Sequence, residues 1–209
     1  MNKFEKKKIL NFLLKNSEQF SFSEIKQAEI LKKNKTFRYL EDKEISVSII
    51  SYFFEENLEN LLSQKDKIKA IKSITLKIKT LLQYQLQNDF EKKQFLKKVF
   101  LFLTTENKFS QMLDYFFKTS SMMWDIAGDT SDDINYYTKR IILSSVYSKI
   151  FIKIMSCSGY DKKDIVKDID NSLDKVRKFN DLKSKFNLSN ILSGLKNFDF
   201  ISKEKGRGF

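Results

Sequence analysis

The chain contains no proline and only five glycines in 209 residues. Sheets need many tight turns, and the backbone angles of those turns come chiefly from these two residue types. A chain so poor in both turns seldom, so its segments must be long. Apolar residues recur three and four apart along most of its length, the spacing of one helix face. The expected fold is therefore all-α. With 41% hydrophobic residues and twenty phenylalanines, such helices can bury the core of one domain, or of one domain with an appendage.

Several classes of chemistry lose their usual parts. There is no histidine, which removes the commonest general base and the commonest metal ligand. No nucleophile is paired with a base, and no ligand set has a recognisable spacing, so no catalytic residue, metal or cofactor is expected. The single cysteine, Cys157, allows no internal disulfide, fits a reducing compartment and reads as a buried filler. The formal charge of +12 is mostly lysine. That balance suits an anionic partner, yet it also follows from A+T-rich codons, and a phosphate reader generally prefers arginine. No window approaches the roughly 20 apolar residues of a membrane span. The basic start, Met1 to Lys8, has neither a cleavage site nor the arginines of a presequence, so an intracellular, bacterial location is expected.

Three regions follow from the pattern. Residues 1–43 give a helix to about Lys15, a second short one opened by a Ser21–Glu24 capping box, and a third around Thr36 to Leu40. These are the proportions of a helix-turn-helix head. Residues 44–184 form a larger bundle. Its helices run from Glu44 to Leu62, from near Lys65 through Leu82, near Phe90 to Phe102, from Thr105 to Trp124, from 131 to about 155, and from Asp161 to Ser184. In the helix from 131, Ser144, Ser145 and Ser148 allow close approach of another helix. Residues 185–209 are an amphipathic helix with a basic tail. There Leu188, Ile191, Leu192, Leu195 and Phe198 line one side, a face suited either to capping the core or to lying in a membrane interface.

One block stands apart from this lysine- and phenylalanine-rich background. Trp124 to Arg140 reads W-D-I-A-G-D-T-S-D-D-I-N-Y-Y-T-K-R and holds the only tryptophan. Gly128 is placed to end one helix in the left-handed conformation. Thr130 stands three residues before Asp133, the spacing of a capping box that opens the next helix. Tyr136 and Arg140 lie one turn apart, as a cation–π pair requires. The block reads as a capped corner, or as a recognition patch of the aromatic-plus-arginine kind that interfaces favour.

The run A-G-D-T-S-D-D-I-N-Y-Y-T-K-R resembles the signature A-G-D-x-S-T-D-F-N-W-Y-T-[KR]-R of the ubiquinone-biosynthesis accessory family called Coq-nine. Ile134 replaces its phenylalanine and Tyr136 its tryptophan. Tyr147, then Leu173, Val176, Phe179, Leu182 and Lys183, resemble the family's later pattern, with Ser172 in place of its arginine. The resemblance covers about residues 44 to 184.

It implies a TetR-like helical bundle: a short helix-turn-helix-like head, a larger ligand domain that dimerises, and a C-terminal amphipathic helix at the membrane. It also implies a non-enzymatic protein that binds isoprenoid or quinone lipid and presents it to a demethoxyubiquinone hydroxylase or equivalent. By position, the partner face falls on Asp133, Asn135, Tyr136, Tyr137 and Arg140. Met112, Phe116, Met123 and Trp124 are the candidate lipid wall, since large and flexible side chains suit a pocket that adapts to a chain. Leu188 to Phe198 would meet the bilayer of the inner membrane from the cytoplasmic side. The competing reading is a TetR-type DNA-binding regulator with Lys33, Lys35, Thr36 and Arg38 on DNA. Glu41 and Asp42 close by, and a turn lacking glycine, weigh against nucleic acid.

Overall fold

A computed structural model describes residues 1–33 and 40–185. Among the described residues there is no strand, and the fold is all-α. The helices are α1 (Lys3–Lys15), α2 (Glu29–Lys32), α3 (Asp42–Leu62), α4 (Lys65–Ile68), α5 (Ile74–Glu91), α6 (Lys93–Thr105), α7 (Ser110–Ala127), α8 (Asp133–Ser156) and α9 (Lys162–Lys185). A 3₁₀ turn, Phe22–Gln27, lies between α1 and α2. Met1–Ile169 form one compact unit, and the described residues from Asp170 onward belong to a second. The expected membrane helix, Leu188, Ile191, Leu192, Leu195 and Phe198, lies outside the described residues, as do Lys35, Thr36 and Arg38. No helix among the described residues is long and apolar enough to cross a membrane.

Local hydrogen bonding sets the element boundaries, and in four places it departs from the periodicity. Ser21 opens a 3₁₀ turn rather than an α-helix, because its hydroxyl accepts from Ser23 N and not from the third residue on. The helix expected from Lys65 is broken. α4 stops at Ile68, and Ser73 caps a fresh helix by accepting from Leu76 N at 3.3 Å, a role serine fills well. Thr105 closes α6 instead of opening the next helix. Its hydroxyl donates back to the Leu101 carbonyl, and the chain turns through Asn107 at φ 53°, a left-handed value asparagine tolerates better than most residues. Cys157 is exposed, not a buried filler, because it sits just past the end of α8.

The first unit is held by aromatic packing that joins the head to the helices after it. Phe22 of the 3₁₀ turn meets Phe95 and Phe102 of α6, each with ring centroids 5.6 Å apart, and Phe95 in turn meets Phe53 of α3 at 4.8 Å. Ser46 on α3 donates to the Phe22 carbonyl at 2.6 Å. On the other side Phe54 stacks on Tyr115 at 4.2 Å, and Phe116 meets Tyr147 and Phe151 edge-on at 5.0 and 5.1 Å. Each ring so buried contributes about 1.5–3 kcal/mol relative to exposure.

A polar cluster sits inside this apolar frame. Asp89 of α5 is fully buried. Its carboxylate accepts from Tyr147 Oη of α8 at 2.6 Å and from Gln85 Nε2 at 3.0 Å. Gln85 Nε2 also donates to Tyr115 Oη of α7 at 3.0 Å. Burial pushes the Asp89 carboxyl up to about 7, against the two hydrogen bonds and the nearby charge of Lys92, which pull it down.

An unfolded chain ionises that carboxyl near 3.8, so folding favours its protonated form. Stability from this group is complete below about pH 4 and falls as pH rises to 7, by at most about 4 kcal/mol. The urea midpoint of the protein is expected to drop between pH 5 and pH 8. Asp89→Asn, which keeps the shape and removes the ionisation, should flatten that drop.

Candidate functional site

The rare-residue block forms the α7–α8 corner. α7 ends where Gly128 takes φ 87° and ψ 34°. Asp129 N then bonds to the Trp124 carbonyl at 3.0 Å and Gly128 N to the Asp125 carbonyl at 3.1 Å. These are the paired bonds of a Schellman motif, which satisfy carbonyls the helix end would leave open. Nothing crowds a Cβ at Gly128, so glycine is required there for its backbone angle alone. Lys77 of α5 covers a further open acceptor by donating to the Ala127 carbonyl at 3.2 Å.

The capping box expected from Thr130 and Asp133 does not form. Asp132 is the residue before α8, and no side chain caps that end. The reason is a competing use of the loop: Ser131 donates to Asp129 Oδ2 at 2.5 Å. Asp129 is the hub of the corner. It also takes Lys139 Nζ at 2.7 Å and Arg140 Nη1 at 3.3 Å. Burial raises its carboxyl, but these hydrogen bonds outweigh burial and hold it at about 2.

Arg140 is 1% exposed. Its Nη2 reaches Asp125 Oδ1 at 2.6 Å, its Nη1 donates to the Tyr136 carbonyl at 3.2 Å, and its guanidinium lies 3.4 Å from the Tyr136 ring centroid. The spacing-based stack is thus present, but its face is turned inward. Trp124 completes the tie by donating Nε1 to the Lys139 carbonyl at 3.1 Å, with Lys139 Nζ 5.3 Å from its ring.

The five residues of the candidate partner face divide accordingly. Asp133 opens α8. Asn135 is exposed and Tyr137 is 60% exposed, whereas Tyr136 is half-buried between Arg140 and Tyr137, whose ring centroid is 5.1 Å away. Arg140 sits beneath them as an anchor. Sequence reasoning missed two outward residues, Ile134 at 81% exposure and Ile141. They stand seven apart on the side of Tyr137, and Ile134 occupies the position where the resembled signature has phenylalanine. Of the candidate lipid wall, Met112, Phe116 and Met123 are buried and Trp124 is half-buried. Leu113, next to Met112 in α7, is exposed. Among the described residues no group of three or more Cys, Asp or Glu is placed to hold a metal ion.

Fold and corner together define an all-α protein in which two long helices are locked by a buried arginine while an aromatic and aliphatic strip faces outward. The COQ9 family model matches residues 109–180, from the start of α7 into α9. Over that segment the chain is similar to the COQ9 family. The ubiquinone biosynthesis protein COQ9, mitochondrial, of Rattus norvegicus is 37% identical over 51 residues. That stretch is 24% of this chain and 16% of the rat protein, so the match spans about a sixth of that relative's length.

Removing the anchor exposes its worth. Arg140→Met leaves Asp129, whose side chain is 4% exposed, with less compensation for its charge, and is expected to cost about 3 kcal/mol in a denaturation experiment. Arg140→Lys should recover little of this, since an ammonium cannot fork to two carboxylates and stack on a ring. Asp129, ionising near 3.8 when unfolded, contributes stability above that pH, and this contribution is lost as pH falls toward 2.

Proposed function

We propose that this chain is a non-catalytic, lipid-binding accessory protein of ubiquinone biosynthesis. It holds an isoprenoid quinone intermediate and presents it at the membrane to a quinone hydroxylase of the demethoxyubiquinone type. The observation that carries this reading is the coincidence of the COQ9 family segment, residues 109–180, with the locked corner. The signature residues Ala127, Gly128, Asp129 and Arg140 build the inside of that corner, and Ile134, Asn135, Tyr137 and Ile141 lie outside it. The similarity to a rat ubiquinone biosynthesis protein supports the same pathway.

The division of labour follows from solubility. A prenyl tail is strongly apolar and does not leave a bilayer for a water-filled active site unaided. A carrier supplies apolar contacts for the tail, and chemistry stays with the partner. In this reading the buried face of α7, with Met112, Phe116 and Met123, turns toward the lipid, and the outer strip of α8 meets the hydroxylase. The protein works as a homodimer on the cytoplasmic side of a bacterial inner membrane, held there through the region of Leu188 to Phe198.

Two measurements test the proposal. Mass spectrometry of the organic extract from protein purified without detergent is expected to find a polyprenyl quinone or another isoprenoid. Tyr137→Ala combined with Ile134→Ser is expected to weaken capture of the hydroxylase by about thirtyfold, the size of one interface hot spot, with an unchanged melting temperature. A clean extract from folded protein, together with undiminished capture by the double variant, would sink the reading.

A further inference from the structure

A groove of about 340 Å³ runs along the outer side of α6 where the 3₁₀ turn crosses it, away from the α7–α8 corner. Its size lies at the lower end of that typical for small-molecule sites. The walls are mostly apolar: Phe20 and Phe22 on one side and Leu101 and Phe102 on the other, with Ser21, Ser23 and Thr105 between them. Leu101 is 63% exposed, a large aliphatic side chain left at the mouth. Lys98 and Glu106 mark the two ends, eight residues and so about 12 Å apart along the helix.

Those two charges are not equivalent. Glu106 is neutralised by Lys43 at 2.5 Å. Lys98 donates to the Phe20 carbonyl, and its ammonium lies 4.7 Å from the Phe20 ring centroid. Glu18 acts on it only through space. An ammonium has three donors, so a carbonyl and a ring face leave capacity for one further acceptor. The groove therefore offers an apolar channel with a cation at one end whose charge no contacting carboxylate cancels.

We propose that this groove binds a small amphipathic anion, an aliphatic chain ending in a carboxylate, with the carboxylate on Lys98 and the chain along Leu101 and the phenylalanines. A neutral chain gains the apolar contacts but leaves the ammonium as it was. An anion with no apolar part gains the charge but leaves Leu101 in water. Burial already pushes the Lys98 amine below its ordinary value, and a bound carboxylate restores it. The site is independent of the quinone reading, because none of its residues belongs to the corner or to the α7 face.

The test is isothermal titration of the full chain with decanoate and, in parallel, with neutral 1-decanol. Decanoate is expected to bind with one-to-one stoichiometry and more tightly than decanol. Lys98→Met should weaken decanoate about tenfold, the loss of one charge-assisted hydrogen bond, and leave decanol unchanged, while Lys98→Arg retains most of the affinity. Leu101→Glu, at a position exposed enough not to disturb folding, should weaken decanoate by a similar factor and spare the melting temperature. Equal affinities for the two ligands, indifference to both substitutions, or no saturable binding would each overturn the proposal. Tyr137→Ala should leave decanoate binding unaltered, so the fate of this site and that of the corner are read separately.

Discussion

A full positive charge buried at 1% exposure is costly unless it is paired, and Arg140, whose buried Nε has no hydrogen-bond partner, is the point on which the α7–α8 corner turns. Two carboxylates, a main-chain carbonyl and an aromatic face surround its guanidinium. Asp125 comes from the last turn of α7, Asp129 from the loop, and Tyr136 from the first turn of α8. One side chain therefore fixes the end of one helix, the path of the turn and the start of the next. Gly128 is necessary to this arrangement because only its left-handed backbone aims Asp129 back at the arginine. Lys139 and Trp124 repeat the tie on a neighbouring side, so the corner is braced twice.

This bracing separates the two faces of α8. Its inner face carries Arg140, Leu143, Tyr147, Ile150 and Phe151, all buried, and its outer face carries Ile134, Tyr137 and Ile141. Arginine and tyrosine at helical spacing were equally compatible with an outward patch or an inward brace. The structure assigns Arg140 to the brace and Tyr137 to the surface, with Tyr136 between them.

Much of the fold was legible because its causes are local. The lack of proline and glycine and the threefold-fourfold spacing of apolar residues predict long helices, and α3, α8 and α9 begin and end within a few residues of their expected limits. The left-handed Gly128 and the Tyr136–Arg140 stack were also legible, since each depends on residues within one turn. What could not be read was competition. Ser131 donates to Asp129, which Lys139 and Arg140, ten and eleven residues further on, hold in the corner, and this defeats the capping box expected at Thr130. The exposure of Leu113 and Cys157 depends on which helices pack nearby, and spacing along one helix does not carry that information. The pairing of Asp89 with Tyr147 spans 58 residues and has no signature at all.

That last pairing has a consequence for how the helices are indexed against one another. Apolar side chains pack almost as well after a helix slides by one turn, about 5.4 Å, because one leucine or phenylalanine ridge resembles the next. A phenol donating to one buried carboxylate at 2.6 Å has no such second position. Sliding α8 along α5 by a turn would take the Tyr147 hydroxyl from its acceptor and leave Asp89 with Gln85 of its own helix as donor, and a buried polar group that loses its partner costs about 1–3 kcal/mol. In a chain whose core is assembled from repeated phenylalanine and isoleucine, Asp89 and Tyr147 act as the detent that lets α5 and α8 meet at one setting only.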